Sequence, residues 1–145
     1  MPSAPPAGTV LAFDFGTRRI GVAVGDVRLG LAHPLTTIEN ASTVQQLDAI
    51  GTLIAEWKPA LLVVGLPTHA DGEPHAMTAC ARRFARQLEG RFALPVTLCD
   101  ERFTTHGAAA ALREAGARGA KRKSARDRIA AQLILQAYFD QRQPA

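Results

Sequence analysis

The sequence predicts an α/β protein built on a mixed five-stranded sheet with helices on both faces. Three observations lead there. The chain opens with three short runs whose apolar residues recur at every second position, joined by tight Gly-containing connections. The repeat then lengthens to a helical period between Val44 and Trp57. From there, strand-like and helix-like segments alternate, so an antiparallel meander runs into a parallel β-α-β region.

In the first run, Val10, Ala12 and Asp14 face one way and Leu11, Phe13 and Phe15 the other. Gly16-Thr17-Arg18-Arg19 has turn chemistry. Ile20, Val22 and Val24, alternating with Gly21 and Ala23, give a second strand that can pair back on the first. Arg28-Leu29-Gly30 is a second tight connection, and Leu31 to Ile38 is a third strand that Pro34 assigns to an edge or a bulge.

Val44, Leu47, Ile50, Ile54 and Trp57 mark a helix, with Ser42 or Thr43 as N-cap and Pro59 beyond its end. Leu61 to Leu66 is a continuous apolar run, the signature of a strand covered on both faces. Asp71-Gly72-Glu73-Pro74 predicts a turn, His75 to Leu88 a helix, and Pro95 to Cys99 a fifth strand. Thr104 or Thr105 can cap an alanine-rich helix ending near Gly116. Gly116 to Lys123 reads as a loop, and Ser124 as the start of a last helix reaching about Asp140. Residues 1–8 are expected to be a flexible tail and residues 9–141 a single domain.

With 145 residues, 47% apolar and 21% charged, the chain is long enough to bury a real core and does not have the composition of a disordered protein. The net charge of +4 favours a polyanionic partner, nucleic acid first. Cys80 and Cys99 form no C-x-x-C pair, and His33, His69, His75 and His106 have no zinc-ligand spacing. A reducing, cytoplasmic setting is expected. The N-terminus lacks the pattern of a signal peptide, and no apolar run approaches the ~20 residues that span a bilayer. The reading is therefore of a soluble protein without a membrane partner.

Three acids stand out. Asp14 interrupts a strand that otherwise reads as buried, and a buried charge is costly unless paired or bound to metal. Asp100 and Glu101 close the fifth strand. On the last helix Asp127 shares a stripe with Ala130, Ala131, Ile134 and Tyr138, opposite the polar stripe of Arg128, Gln132, Gln136 and Asp140. Structural readings exist for each. Asp14 could pair with Arg18 or Arg19, Asp100-Glu101 could be a solvated turn, and Ser124 with Asp127 fits a capping box.

Converging carboxylates repel one another unless divalent cations sit among them, and hard oxygen ligands suit Mg²⁺ or Mn²⁺. Two such ions could clamp a phosphodiester and activate water. Asp14 would then be the central ligand, with Glu101 and Asp127 on either side. Arg18, Arg19, Arg102, Lys121, Arg122 and Lys123 would hold the flanking phosphates, although a run such as K-R-K is also common in solvated loops.

The motifs D-F-G-T-R-R-I-G-V-A-V-G-D, V-V-G-L-P with a following D-G, D-E-R-F-T-T and K-R-K-S-A-R-D-R-I-A-A-Q-L-I-L-Q-A-Y occur in this order between about Phe13 and Asp140. In that order they resemble the YqgF family, also called RuvX. The resemblance implies a ribonuclease H-like fold related to the Holliday-junction resolvase RuvC. It implies a nuclease that trims the 5′ end of precursor 16S rRNA in ribosome biogenesis, with Asp14, Glu101 and Asp127 as metal-binding catalytic acids. Asp100 belongs to the same D-E-R motif and is the weaker ligand candidate. Gly25 and Phe103 depart from the residues many relatives carry, as does the stretch T-H-A-D-G-E-P-H.

The expected partner is thus RNA, with structured DNA and ribosomal precursor particles as further candidates, and the expected state a monomer or weak homodimer. Two other functions fit the same fold: resolution of four-way DNA junctions, and RNA binding without catalysis. The D-F-G-T start also resembles the phosphate loop of actin-like ATPases and sugar kinases. Those enzymes need two lobes, and this length supplies one.

Overall fold

A computed structural model describes residues 8–16, 18–39, 42–67, 76–101, 104 and 120–142. The elements are β1 (Thr9–Phe15), β2 (Arg19–Asp26), β3 (Leu31–Glu39), α1 (Thr43–Trp57), β4 (Leu61–Leu66), α2 (Ala76–Phe92), β5 (Val96–Asp100) and α3 (Ala120–Arg142). The five strands form one sheet in the order β3-β2-β1-β4-β5. β1, β2 and β3 pair antiparallel, while β1–β4 and β4–β5 are parallel. This is the mixed sheet that the alternation of patterns predicts.

β3 is an edge strand, and its register slips between Val22 and Ala23, where the partner changes from Thr36 to Pro34. A proline cannot donate to the ladder, so the slip falls beside it. The free side of this edge is partly covered by α3. Gln132 Nε2 donates to the Ala32 carbonyl at 3.1 Å, Gln136 Oε1 accepts from the Ala32 N–H at 3.0 Å, and Gln136 Nε2 donates to the Gly30 carbonyl at 2.8 Å. The polar stripe of the last helix thus satisfies backbone groups that a second strand would otherwise claim.

Two apolar layers flank the sheet. Leu11, Phe13, Ile20, Val22, Leu62 and Val64 pack toward α1 and α2, against Ile50, Phe84 and Leu88. Val10, Ala12, Ala23, Leu61 and Val63 pack toward α3, against Ala130, Ala131, Ile134 and Tyr138. α1 starts at a complete capping box, in which the Ser42 hydroxyl accepts from the Gln45 N–H and the Gln45 side chain accepts from the Ser42 N–H.

Two helix ends differ from the sequence expectation. α2 runs to Phe92 rather than Leu88 and closes with Ala93 in the left-handed region, its N–H bonded to the Glu89 carbonyl. Gly90 does not end the helix, because a surface glycine only weakens it. α3 begins at Ala120, not Ser124, so Lys121-Arg122-Lys123 lies in the first helical turn and not in a loop. Alanine, lysine and arginine are strong helix formers and carry the helix past a serine that looks like a cap. Asp127 then sits two turns inside α3, which removes the capping box with Ser124. Residues 1–7, the Asp71–Pro74 turn, Arg102 and the alanine-rich helix after Thr105 lie outside the described residues, as do the side chains of residues 120–124.

Candidate nucleic-acid active site

The carboxyl ends of β1, β4 and β5 lie side by side, and ligands of such sheets gather beyond those ends. Asp14 is one residue from the end of β1 and only 3% exposed. Alternation with Val10 and Ala12 turns its side chain toward α3. Glu101 follows β5 directly, is 1% exposed, and shares the side of Cys99, two residues earlier. Thr104 folds back on it: its N–H and hydroxyl both donate to the Glu101 carbonyl, at 3.1 and 2.7 Å. Glu101 is therefore buried and bonded through its carbonyl, not solvated.

Asp14 has a glycine on either side. In β2 its register partner is Gly21, and a Cβ at Gly21 would overlap the carbonyl oxygen of Asp127. α3 can thus lay its backbone directly on the sheet at Asp127, beside Asp14. In β4 the pairing of Phe13 with Val64 puts Gly65 next along. A Cβ there would collide with Ile134 Cδ1 and stand 3.5 Å from Glu101 Cδ. One glycine admits the helix that carries Asp127, and the other leaves room for the Glu101 carboxyl. Glycine inside a strand commonly marks such a close approach. Neither glycine stood out in the sequence, although that rule could have pointed to both.

Asp127 does not point freely into this space. Its Oδ2 accepts a 2.5 Å hydrogen bond from Arg19 Nε, in an ion pair whose side chains are 19% and 16% exposed. Arg19 thus pairs with Asp127, 108 residues away, rather than with Asp14. Among the described residues no three acidic, histidine or cysteine side chains are grouped to hold one metal ion. Arg18 is exposed at the turn before β2. Arg126, adjacent to Asp127, has a buried Nη1 without a hydrogen-bond partner among the described residues. Basic residues are frequent on both sides of it, so nothing in the sequence sets Arg126 apart.

Cys99, beneath Glu101, has its thiol pushed up from 9.0 to about 11, by burial first and then by the charges of Asp100 and Glu101. It donates weakly to the Ile134 carbonyl at 3.7 Å and serves as packing, not as a nucleophile. An apolar cavity of about 380 Å³, lined by Thr9, Leu31 and Trp57 among others, lies at the opposite end of the sheet from the acids.

The family model described as "RuvX: Holliday junction resolvase" matches residues 8–141. The chain belongs to the RuvX family. That family consists of nucleases, hydrolases that cut phosphodiester bonds. A Nitrosospira multiformis protein named "Putative pre-16S rRNA nuclease" is 57% identical to the RuvX chain over 97% of its length and 93% of the relative's. A Nitrosomonas europaea protein of the same name is 58% identical over 92% and 90%. Among solved structures, Thermus thermophilus RuvC in complex with a Holliday junction substrate matches with a TM-score of 0.56 at 14% identity, covering 93% of this chain and 95% of that one. This likeness shows a shared ribonuclease H-like fold. No helix among the described residues is long and apolar enough to cross a membrane.

Proposed function

We propose that this RuvX chain is a cytoplasmic, divalent-metal-dependent nuclease that processes the 5′ end of precursor 16S rRNA. The observation that carries the reading is the row at the carboxyl end of the sheet, where buried Asp14 lies between Gly21, which admits Asp127, and Gly65, which makes room for Glu101. The names of the close relatives supply the substrate.

The donor set fits Mg²⁺ or Mn²⁺. It consists of carboxylate oxygens, with Asp14 on β1 and Glu101 just after β5 both buried on the α3 side and β4 between them, and it contains no imidazole or thiolate that would favour a softer ion. Asp14, Glu101 and Asp127 would hold the metal, two ions in the full site, with Asp100 a lesser candidate. When bound, the ions would supply the activation of water and the neutralisation of charge on the phosphate under attack. Asp14 and Glu101 are fixed by strand pairing and by the Thr104 turn, so they orient the site before substrate arrives. Arg18, Arg19, Arg102 and Lys121-Arg122-Lys123 would hold flanking phosphates and set the register of the strand. Such work on a single strand needs only a monomer or a weak dimer.

Cutting of four-way DNA junctions is the second reading, favoured by the family's description and by the RuvC fold. A single comparison separates the two. Purified protein with Mg²⁺ or Mn²⁺ is given a precursor 16S 5′ leader, an unstructured RNA and a four-way DNA junction, alongside Glu101→Gln. The proposal expects cleavage of the leader and its loss in the variant. Cleavage of the junction alone would establish the second reading, and no cleavage of any substrate would leave a binding domain.

A further inference from the structure

We infer that Arg19 is a positioning residue that keeps Asp127 away from the metal until a nucleic-acid phosphate takes its guanidinium. The inference rests on the proposed metal site and adds to it a rule for when the site is complete.

Arg19 is the first residue of β2, and the turn before it is closed by the Gly16 N–H bonding to the Arg19 carbonyl at 3.0 Å. Its backbone is therefore fixed at the rim of the site. The backbone of Asp127 is fixed too, because it lies against Gly21. Only the two side chains have freedom, and the 2.5 Å bond from Arg19 Nε decides the direction of the Asp127 carboxylate. With that bond in place, no three acids among the described residues are grouped to hold one metal ion.

The pair is mostly buried, so it is weakly screened, and a hydrogen bond between two charged groups is stronger than a neutral one. A cation approaching Asp127 must displace the guanidinium and also meets its positive charge. A phosphate is the natural competitor for Arg19, because the guanidinium fork matches two phosphate oxygens. Phosphate binding would release Asp127 to the metal, and metal binding would release Arg19 to the phosphate. By linkage the two affinities must rise by the same factor. A free chain would then hold metal weakly, and the acids would be completed on substrate.

The bland alternative is a structural clamp that ties α3 to β2 and has no bearing on ligands. The two differ in Mn²⁺ affinity measured by calorimetry on the whole chain, with and without a short 2′-O-methyl RNA that resists cleavage. Arg19→Gln is expected to bind Mn²⁺ about threefold to tenfold more tightly than wild type without RNA. The tightening caused by RNA should shrink in that variant. Arg19→Lys, which keeps the charge but lacks the fork, should fall between the two and serves as the readout if Arg19→Gln does not fold.

Mn²⁺ affinity in the folded variants equal to or below wild type would overturn the inference and leave the clamp. Asp14→Asn separates this from failure of the site itself. If it loses Mn²⁺ binding while Arg19→Gln matches wild type, only the role of Arg19 falls. If it binds Mn²⁺ as wild type does, the metal site falls as well.

Discussion

Phe13 and Asp14 are neighbours in sequence and face opposite sides of one sheet, and the two sides are built differently. Toward α1 and α2 the sheet presents large side chains, Leu11, Phe13, Ile20 and Val22, and the helices stand off on them. Phe13 packs edge-on to Phe84 with ring centres 5.9 Å apart. Toward α3 it presents Ala12, Ala23 and Ala32 with Gly21, Gly25 and Gly65, and that helix, with its own alanines, comes in close. The first face is where burial supplies stability. The second gives up side-chain volume, and at its carboxyl end the gap holds acids. The proposed site lies on the thin side of the sheet, where backbone rather than side chain makes the contact.

The largest effects should come from undoing each face in its own way. Phe13→Ala should cost about 3–5 kcal/mol, read as a lower denaturant midpoint, with metal-dependent cleavage by the remaining folded protein little changed. Gly21→Ala should behave oppositely. Its methyl would meet the Asp127 carbonyl, a backbone atom that cannot swing aside, so α3 must shift. A stability loss of about 1–3 kcal/mol should accompany a loss of cleavage out of proportion to it. Gly90→Ala, on the outer surface of α2 where an added methyl meets nothing within 4 Å, is the control and should stabilise by about 0.5–1 kcal/mol. Equal loss of cleavage in Phe13→Ala and Gly21→Ala would erase the distinction between the faces.

A smaller effect concerns the two thiols. Cys99 is buried on the α3 face, whereas Cys80 on α2 is partly exposed. At pH 8 an alkylating reagent should label Cys80 well before Cys99, followed by mass spectrometry. Because folding raises the Cys99 value, the proton it retains favours the folded state. That contribution is full below pH 9.0 and is lost as pH rises through about 11. Simultaneous labelling of both thiols in the folded protein would show that α3 opens more readily than its close packing suggests.

Much of this was legible in the residues because it is local. The two-residue alternation in Val10–Phe15 assigned Phe13 and Asp14 to their faces, and the apolar run Leu61–Leu66 identified a strand covered on both sides. The acids were visible for the same reason: Asp14 and Asp127 each break an apolar stripe. Helix ends were less legible, since Gly90 and Ser124 carry stop and start signals that the surrounding helix formers override. The partner of Arg19 could not be read from its neighbours at all. It depends on α3 crossing β2 at Gly21, a contact made only once the sheet is assembled.

The most direct test of the central claim is cleavage by Asp14→Asn, measured under single turnover with Mg²⁺ on whichever substrate the wild type cuts, with a thermal melt in parallel. Asparagine keeps the shape of the side chain and removes only the charge. The account predicts a fall in rate of at least about a hundredfold, with the melt still cooperative and the far-ultraviolet circular dichroism unchanged. A folded Asp14→Asn protein that cleaves at the wild-type rate would contradict it.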